Sequence, residues 1–124
     1  MRDTVIILII IVAVIIGNVI SQNILKEYSE RLILKLEDIK VSMQNKEALK
    51  QKVEELSELW EEAEEKWSII VTHQELDMIK TAILNVKSSI EADDFDFGYE
   101  QIENSIFLVG HIKDKWAMEW KNIF

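Results

Sequence analysis

The chain has 124 residues, enough for one small domain, and its 14 Lys and Arg stand against 23 Asp and Glu, a net charge of −9. This balance argues against nucleic-acid binding, because a nucleic-acid binder brings positive charge to phosphates. The absence of Cys excludes disulfides, thiolate catalysis and Cys-ligated zinc, while the absence of Pro and the presence of only three Gly are typical of long helices.

The first predicted element is an apolar N-terminal segment. Residues 5–16 are twelve consecutive apolar residues, and residues 4–25 carry no ionisable side chain. As a helix these 22 residues extend about 33 Å, enough to cross a hydrocarbon core of about 30 Å. We therefore expect residues 1–25 to be an uncleaved transmembrane anchor that meets the bilayer through residues 4–25. A cleaved signal peptide is the alternative, although no A-x-A-like triplet marks a cleavage site.

The charges beside this segment leave its orientation open. Arg2 precedes it, whereas Lys26, Arg31, Lys35 and Lys40 follow it among interleaved acids. Counted literally, the positive-inside rule favours a cytoplasmic C-terminal domain. However, a tail of three residues is also easily retained on the cytoplasmic side, which would place the C-terminal domain outside the cytoplasm.

Residues 26–124 are the second predicted unit, an acidic domain built as a small antiparallel helical bundle. Apolar residues recur here at spacings of three and four, which indicates amphipathic helices. The four apolar stripes are Leu25, Tyr28, Leu32, Leu36, Ile39 and Met43; Leu49, Val53, Leu56, Trp60, Ala63, Trp67 and Ile70; Leu76, Ile79, Ile83, Val86 and Ile90; and Phe95, Tyr99, Ile102, Ile106 and Val109, continuing less cleanly to Ile112 and Trp116. No breaker separates the anchor from the first stripe, so the two are compatible with one rod.

Three turns are expected between these helices. Asn45 lies in the first and is a candidate cap for the second helix. Thr72 and Glu75 have the spacing of a capping box at the start of the third helix. Asp93 or Asp94 is expected to cap the fourth helix.

The chain contains no phosphate-binding glycine loop, H-E-x-x-H motif or nucleophile elbow, so we expect no catalytic residue and no cofactor. Its two histidines, His73 and His111, would lie level with each other in a hairpin that closes at residues 92–94, with Asp77 and Asp114 one turn away. These four side chains could ligate zinc or a similar cation. Two structural His–Asp contacts are the simpler interpretation, and no metal is expected.

The tryptophans suggest two different roles. Trp60 and Trp67 lie on the second apolar stripe and are predicted to be core residues. Trp116 and Trp120 are four residues apart near the C-terminus, so they are candidates for contact with a partner protein or with the membrane interface. The unbroken spacing of three and four also suits coiled-coil pairing, which leaves a homo-oligomer as a further alternative.

The order of these motifs resembles an uncharacterised family, a domain of unknown function found in short single-span membrane proteins of anaerobic spore-forming Firmicutes. The resemblance rests on the N-terminal span, Trp60 and Trp67 in an acidic helix, His73-x-Glu75-x-Asp77, His111-Ile112 and Asn122-Ile123-Phe124. It implies a bacterial cell-membrane protein without assigned activity, its domain outside the cytoplasm. Family members typically show Pro and acidic residues after the His-Ile pair, where this chain has residues 113–116, Lys-Asp-Lys-Trp.

These patterns favour a non-enzymatic, membrane-anchored helical module that binds another membrane or envelope protein. Two competing classes remain at this point. One is a metal-binding module or metal-dependent enzyme built on His73, Asp77, His111 and Asp114. The other is a self-assembling, coiled-coil-like structural protein.

Overall fold

The structure, a computed structural model, describes residues 1–45 and 48–123, with side chains described up to Met118. Four helices make up nearly all of it, and no strand occurs within these ranges. They are α1 (Arg2–Asn45), α2 (Leu49–Trp67), α3 (His73–Glu91) and α4 (Phe95–Ile123). The predicted all-α fold is therefore confirmed.

The longest helix, α1, contains both the apolar segment and the first apolar stripe. Its 44 residues correspond to about 66 Å of continuous helix. Side chains at residues 5–16 are all exposed, whereas Leu32, Leu36 and Ile39 are fully buried. The N-terminal part of α1 is long and apolar enough to cross a membrane, a test that a signal sequence also passes.

Each helix packs against two neighbours. α1 contacts α2 and α4, and α3 contacts the same two helices from the other side. Between α1 and α2, Lys35 pairs with Glu55 and Lys52 pairs with Asp38. From Lys35 to Asp38 along α1, the paired residue of α2 changes from Glu55 back to Lys52. The two helices are therefore antiparallel.

α4 runs opposite to both of its neighbours in the same way. Lys40 and Glu30 of α1 pair with Glu103 and Lys113 of α4, respectively. Towards α3, Asn85 donates a hydrogen bond to Gln101, and Lys115 pairs with Glu75. These contacts tie the ends of α4 to two different helices.

The hydrophobic core contains the predicted stripes of α1, α2 and α3. All residues of the first and third stripes are buried, as are all those of the second except Ile70, which is half-buried. Spacings of three and four place these side chains on one face of each helix. Burial of that face, rather than local helix propensity, supplies most of the stabilisation.

The stripe on α4 differs from the prediction. Tyr99 is 47 % exposed, and the ammonium of Lys40 lies 5.1 Å from the centre of its ring. The buried positions are Gly98, Ile102, Ser105, Val109 and Ile112. Two of these residues are small, and a Cβ added at Gly98 would come close to Ser89 of α3 and Met43 of α1. Ile102, Val109 and Ile112 are therefore buried as predicted, whereas Gly98 and Ser105 are buried next to the predicted Tyr99 and Ile106, because apolar periodicity does not register Gly and Ser.

The helix starts were predicted correctly at two of three turns. The Thr72 hydroxyl accepts a hydrogen bond from the Glu75 N–H at 3.3 Å, and the Asp94 carboxylate accepts one from the Phe97 N–H at 3.3 Å. Asn45 does not cap α2. It is the last residue of α1, and the N-cap of α2 is Ala48, with a left-handed φ of 55° and no side-chain cap.

The two glycines of α4 are expected to respond oppositely to Ala. A Cβ at Gly110 would meet no atom within 4 Å, so Gly110→Ala should raise the free energy of unfolding by about 1 kcal/mol through helix propensity. A Cβ at Gly98 would lie 2.8 Å from Ser89 Oγ, so Gly98→Ala should gain less or destabilise. Urea unfolding of the full chain in detergent micelles, followed by circular dichroism, measures both.

Ser89→Ala provides the matched control, because it removes the crowded hydroxyl. In the Ser89→Ala background, the effects of Gly98→Ala and Gly110→Ala on the free energy of unfolding should differ less than they do in the native chain. An equal stabilisation by Gly98→Ala and Gly110→Ala with Ser89 in place would contradict the close approach of α4 to α3.

Candidate interaction surface

The two histidines and their neighbouring aspartates are separate surface residues. His73, Asp77, His111 and Asp114 are all exposed, and they do not form a metal-binding group. Within the described ranges, no three His, Asp or Glu side chains are arranged to hold a metal ion.

The offset between the histidines has a geometric cause. Because Asn85 contacts Gln101 and Glu75 pairs with Lys115, His73 lies level with residues 113–117 of α4 rather than with His111. His111 instead lies near Met78 and Ile79, and its ring stacks on Phe107 with centroids 6.1 Å apart and planes 17° from parallel. The hairpin is therefore displaced by a few residues from the register that the sequence predicted.

A surface depression with apolar and polar lining residues lies between α3 and α4. We call it the α3–α4 groove. It has a volume of about 600 Å³ and is lined by Gln74, Asp77, Met78, Thr81, Asn104 and Leu108. A smaller depression of about 290 Å³ shares Gln74, Met78 and Leu108 and extends the groove to Ile79 and His111. The side chains of Met78 and, beside the groove, Phe107 are 50 % and 67 % exposed. Sequence reasoning missed both, because they lie outside the apolar stripes.

A second groove, between α1 and α2, is more strongly charged. Its volume is about 500 Å³, and its lining includes Lys35, Asp38, Glu55 and Glu58. The ammonium of Lys35 donates a hydrogen bond to Glu55, which lowers the pKa of that carboxyl below its usual value. Lys35 and Glu55 thus pair with each other within this groove, whose lining also includes Leu34 and Leu59.

The acidic face of α2 is solvated. Its glutamates are exposed or half-buried. They are Glu54, Glu55, Glu58, Glu61, Glu62, Glu64 and Glu65.

The four tryptophans fall into two groups. Trp60 and Trp67 are buried, as predicted, and their rings meet edge-to-face with centroids 6.0 Å apart. Neither indole N–H has a hydrogen-bond acceptor among the described residues. Trp116 is half-buried and packs against the core, and its backbone carbonyl accepts a hydrogen bond from Gln22. The side chain of Trp120 lies outside the described residues, so its predicted role as a contact residue stays a prediction.

Two lysines fasten α4 to its neighbours and change the pKa values of the contact groups. Hydrogen bonds to Glu103 and Tyr99 raise the pKa of Lys40 to about 12. The hydrogen bond from Lys115 holds the pKa of the Glu75 carboxyl below its usual value, against the opposing effect of partial burial. The Glu75–Lys115 pair lies beside the α3–α4 groove and connects its two walls.

These features define an all-α protein with one apolar helical segment and an open groove between its last two helices. Residues 19–123 match the family described as a domain of unknown function (DUF4363), and the chain belongs to that family. The predicted membership of an uncharacterised family is thereby confirmed. The match begins just after the uninterrupted apolar residues and includes α2, α3 and α4. No curated protein and no solved structure matches the chain.

The ion pair beside the groove predicts a pH-dependent contribution to stability. Because folding lowers the pKa of Glu75 from about 4.5, the contribution is present above that pH and is lost as the pH falls through the lower, folded-state pKa. Glu75→Gln should remove it, lowering the free energy of unfolding at neutral pH by up to about 1 kcal/mol. Urea unfolding in detergent micelles across the acidic range measures the difference from the native chain.

Glu100→Gln is the matched control, because Glu100 is exposed on α4 and forms no ion pair among the described residues. It should leave the pH dependence of the native chain unchanged. If the free energy of unfolding of Glu75→Gln follows that of the native chain across the pH range as closely as the control does, the Glu75–Lys115 pair makes no contribution to stability.

Proposed function

We propose that this chain is a single-pass membrane protein whose helical domain binds another membrane or envelope protein. The observation that carries the proposal is the α3–α4 groove, an open surface where the exposed Met78 lies beside Leu108, on a domain that continues directly from an apolar helix. The role is one of binding rather than catalysis, with residues 1–25 as the anchor and residues 26–124 as the binding domain.

The anchor is supported by the exposure and composition of α1. The apolar side chains of residues 5–16 contact no other helix, which leaves a large apolar surface without a cover. β-branched residues such as Ile and Val are acceptable in a span, because lipid offers the backbone no partner outside its own helix. The resemblance to short Firmicutes proteins supports a bacterial cell membrane, with the domain outside the cytoplasm.

The domain itself is proposed to be an antiparallel four-helix bundle. The opposed contacts of α1 with α2, of α3 with α4 and of α1 with α4 support this arrangement, as do the short connections that force neighbouring helices together. Leu25 at the proposed boundary is 2 % exposed and packs in the core. The bundle therefore begins where the anchor ends, with no linker between them.

The α3–α4 groove fits an amphipathic helix of a partner. Such helices place their apolar face in a hydrophobic groove of this kind. Met78 and Leu108 supply the apolar contacts within the groove, the exposed Phe107 stacks on His111 at its extension, and Asp77 adds negative charge that favours a basic flank on the partner. The groove is preferred over Trp116 as the protein-binding surface, because Trp116 is already half-buried against the core.

A photocrosslinking amino acid at Met78 tests this proposal in the native membrane. We expect the full-length chain to form one crosslinked product with a different membrane or envelope protein, which mass spectrometry can identify. The same amino acid at Val41 is the matched control, because Val41 is 62 % exposed and apolar but lies on α1, away from the groove. Val41 should give no such product.

Substitutions then test whether the α3–α4 groove is the binding surface. Asp at Phe107, whose side chain is 67 % exposed, should reduce crosslinking from Met78 several-fold, whereas Asp at Leu34, 69 % exposed on α1, should not. Equal products from Met78 and Val41 would overturn the groove as the binding surface. Products that contain only copies of this chain would replace the proposal with self-assembly.

A further inference from the structure

The ends of three helices lie at one level along α1. On the α2 side, Lys35 is level with Glu55, so Trp67, twelve residues further along α2, is level with residue 23 of α1. The α2–α3 turn, residues 68–72, therefore lies level with the residues of α1 just before residue 23. This is the place where the apolar segment gives way to the buried stripe.

The end of α4 reaches the same level. Because Lys113 pairs with Glu30 and the helices are antiparallel, Met118 lies level with Leu25. The amide of Gln22 donates a hydrogen bond to the carbonyl of Trp116 at 3.1 Å, which ties this end of α4 to α1 directly. The last residues of α4 then continue alongside residues that belong to the proposed span.

Two exposed apolar side chains, Ile69 of the α2–α3 turn and Met118 of α4, lie at this level beside the half-buried Ile70 and Trp116, and we call this region the basal end. Ile69 is 92 % exposed, more than any other large apolar residue described except Met1, and Met118 is 65 % exposed. The neighbouring Val71 is 5 % exposed, so the turn does bury one apolar residue in the core. Ile69 instead points away from the core with nothing to cover it.

The level of the basal end coincides with a membrane surface. A hydrocarbon core of about 30 Å takes about 20 helical residues, so a span that starts at Thr4 ends near Asn23. The basal end lies level with that boundary, where Ser21, Gln22 and Asn23 interrupt the apolar sequence. A turn that projects an Ile at this boundary can place it among lipid headgroups and upper acyl chains, and Trp side chains favour the same layer.

We propose that the basal end is a lipid-binding surface, which seats the bundle on the bilayer through Ile69 and the end of α4. The proposal rests on the proposed anchor, since α1 sets the distance between the basal end and the membrane. The proposed ligand of the basal end is lipid rather than protein, because α1 connects the basal end to the proposed span without a flexible linker.

Single cysteines test this proposal cleanly, because the chain has none of its own. The full-length variants Ile10→Cys, Ile69→Cys and Val41→Cys are each labelled with an environment-sensitive fluorophore and reconstituted in vesicles of three parts phosphatidylcholine to one part phosphatidylglycerol, with or without lipid-borne nitroxide quenchers. Residue 10 reports on the anchor and residue 69 on the basal end. Val41 is the control, since it is exposed and apolar but lies 20 residues beyond the level of Ser21, about 30 Å away.

We expect nitroxide near the headgroups to quench the label at residue 69 several-fold more strongly than the label at residue 41, and nitroxide deep in the acyl chains to quench the label at residue 10. Quenching at residue 10 with equal, weak quenching at 69 and 41 would overturn the lipid surface and leave the anchor intact. Weak quenching at all three sites would overturn the anchor and the lipid surface together. A blue-shifted emission at residue 69 without nitroxide quenching would assign the basal end to protein contact and overturn the proposal.

Discussion

The helical continuity of α1 is the constraint on which the rest of the structure depends. One helix of 44 residues carries the exposed apolar segment and one wall of the core, and it contains no Pro. α2 and α4 dock on its C-terminal half, where Lys35 and Lys40 pair with Glu55 and Glu103. These contacts indicate the positions of α2 and α4 along the axis of α1. The orientation of the whole domain relative to the apolar segment therefore follows from a single rigid element.

This geometry separates two kinds of surface. α3 lies across the core from α1, and these two helices make no direct contact within the described ranges. The groove beside Met78 and Leu108 is consequently open to a partner that approaches from the side. The turn with Ile69 instead lies level with the end of the apolar segment. In the proposed function, α1 holds the basal end near the bilayer, and the α3–α4 groove faces the partner protein.

The sequence predicted the parts of this fold that depend on helical periodicity. The stripes of α1 and α3 were correct because large apolar residues alone form their contact faces. On α4, Ile102, Val109 and Ile112 were predicted correctly, whereas the exposure of Tyr99 and the burial of its small neighbour Gly98 were not, because apolar periodicity does not register a glycine at a close helix contact. The groove was not predictable, since Met78 and Phe107 lie outside the stripes and gain meaning only from the neighbouring helix. Likewise, the displacement of the two histidines depends on a hairpin register that only the tertiary contacts reveal.

The most direct test of this account is a distance along α1 in a lipid bilayer. Spin labels at Val12 and Val41, both exposed, are separated by 29 residues, which corresponds to about 44 Å in an unbroken helix. Double electron–electron resonance on the doubly labelled chain in lipid nanodiscs should give one narrow distribution centred near that distance. A broad distribution at clearly shorter distances would show that α1 breaks between the apolar segment and the core. It would thereby contradict the rigid connection on which both surfaces depend.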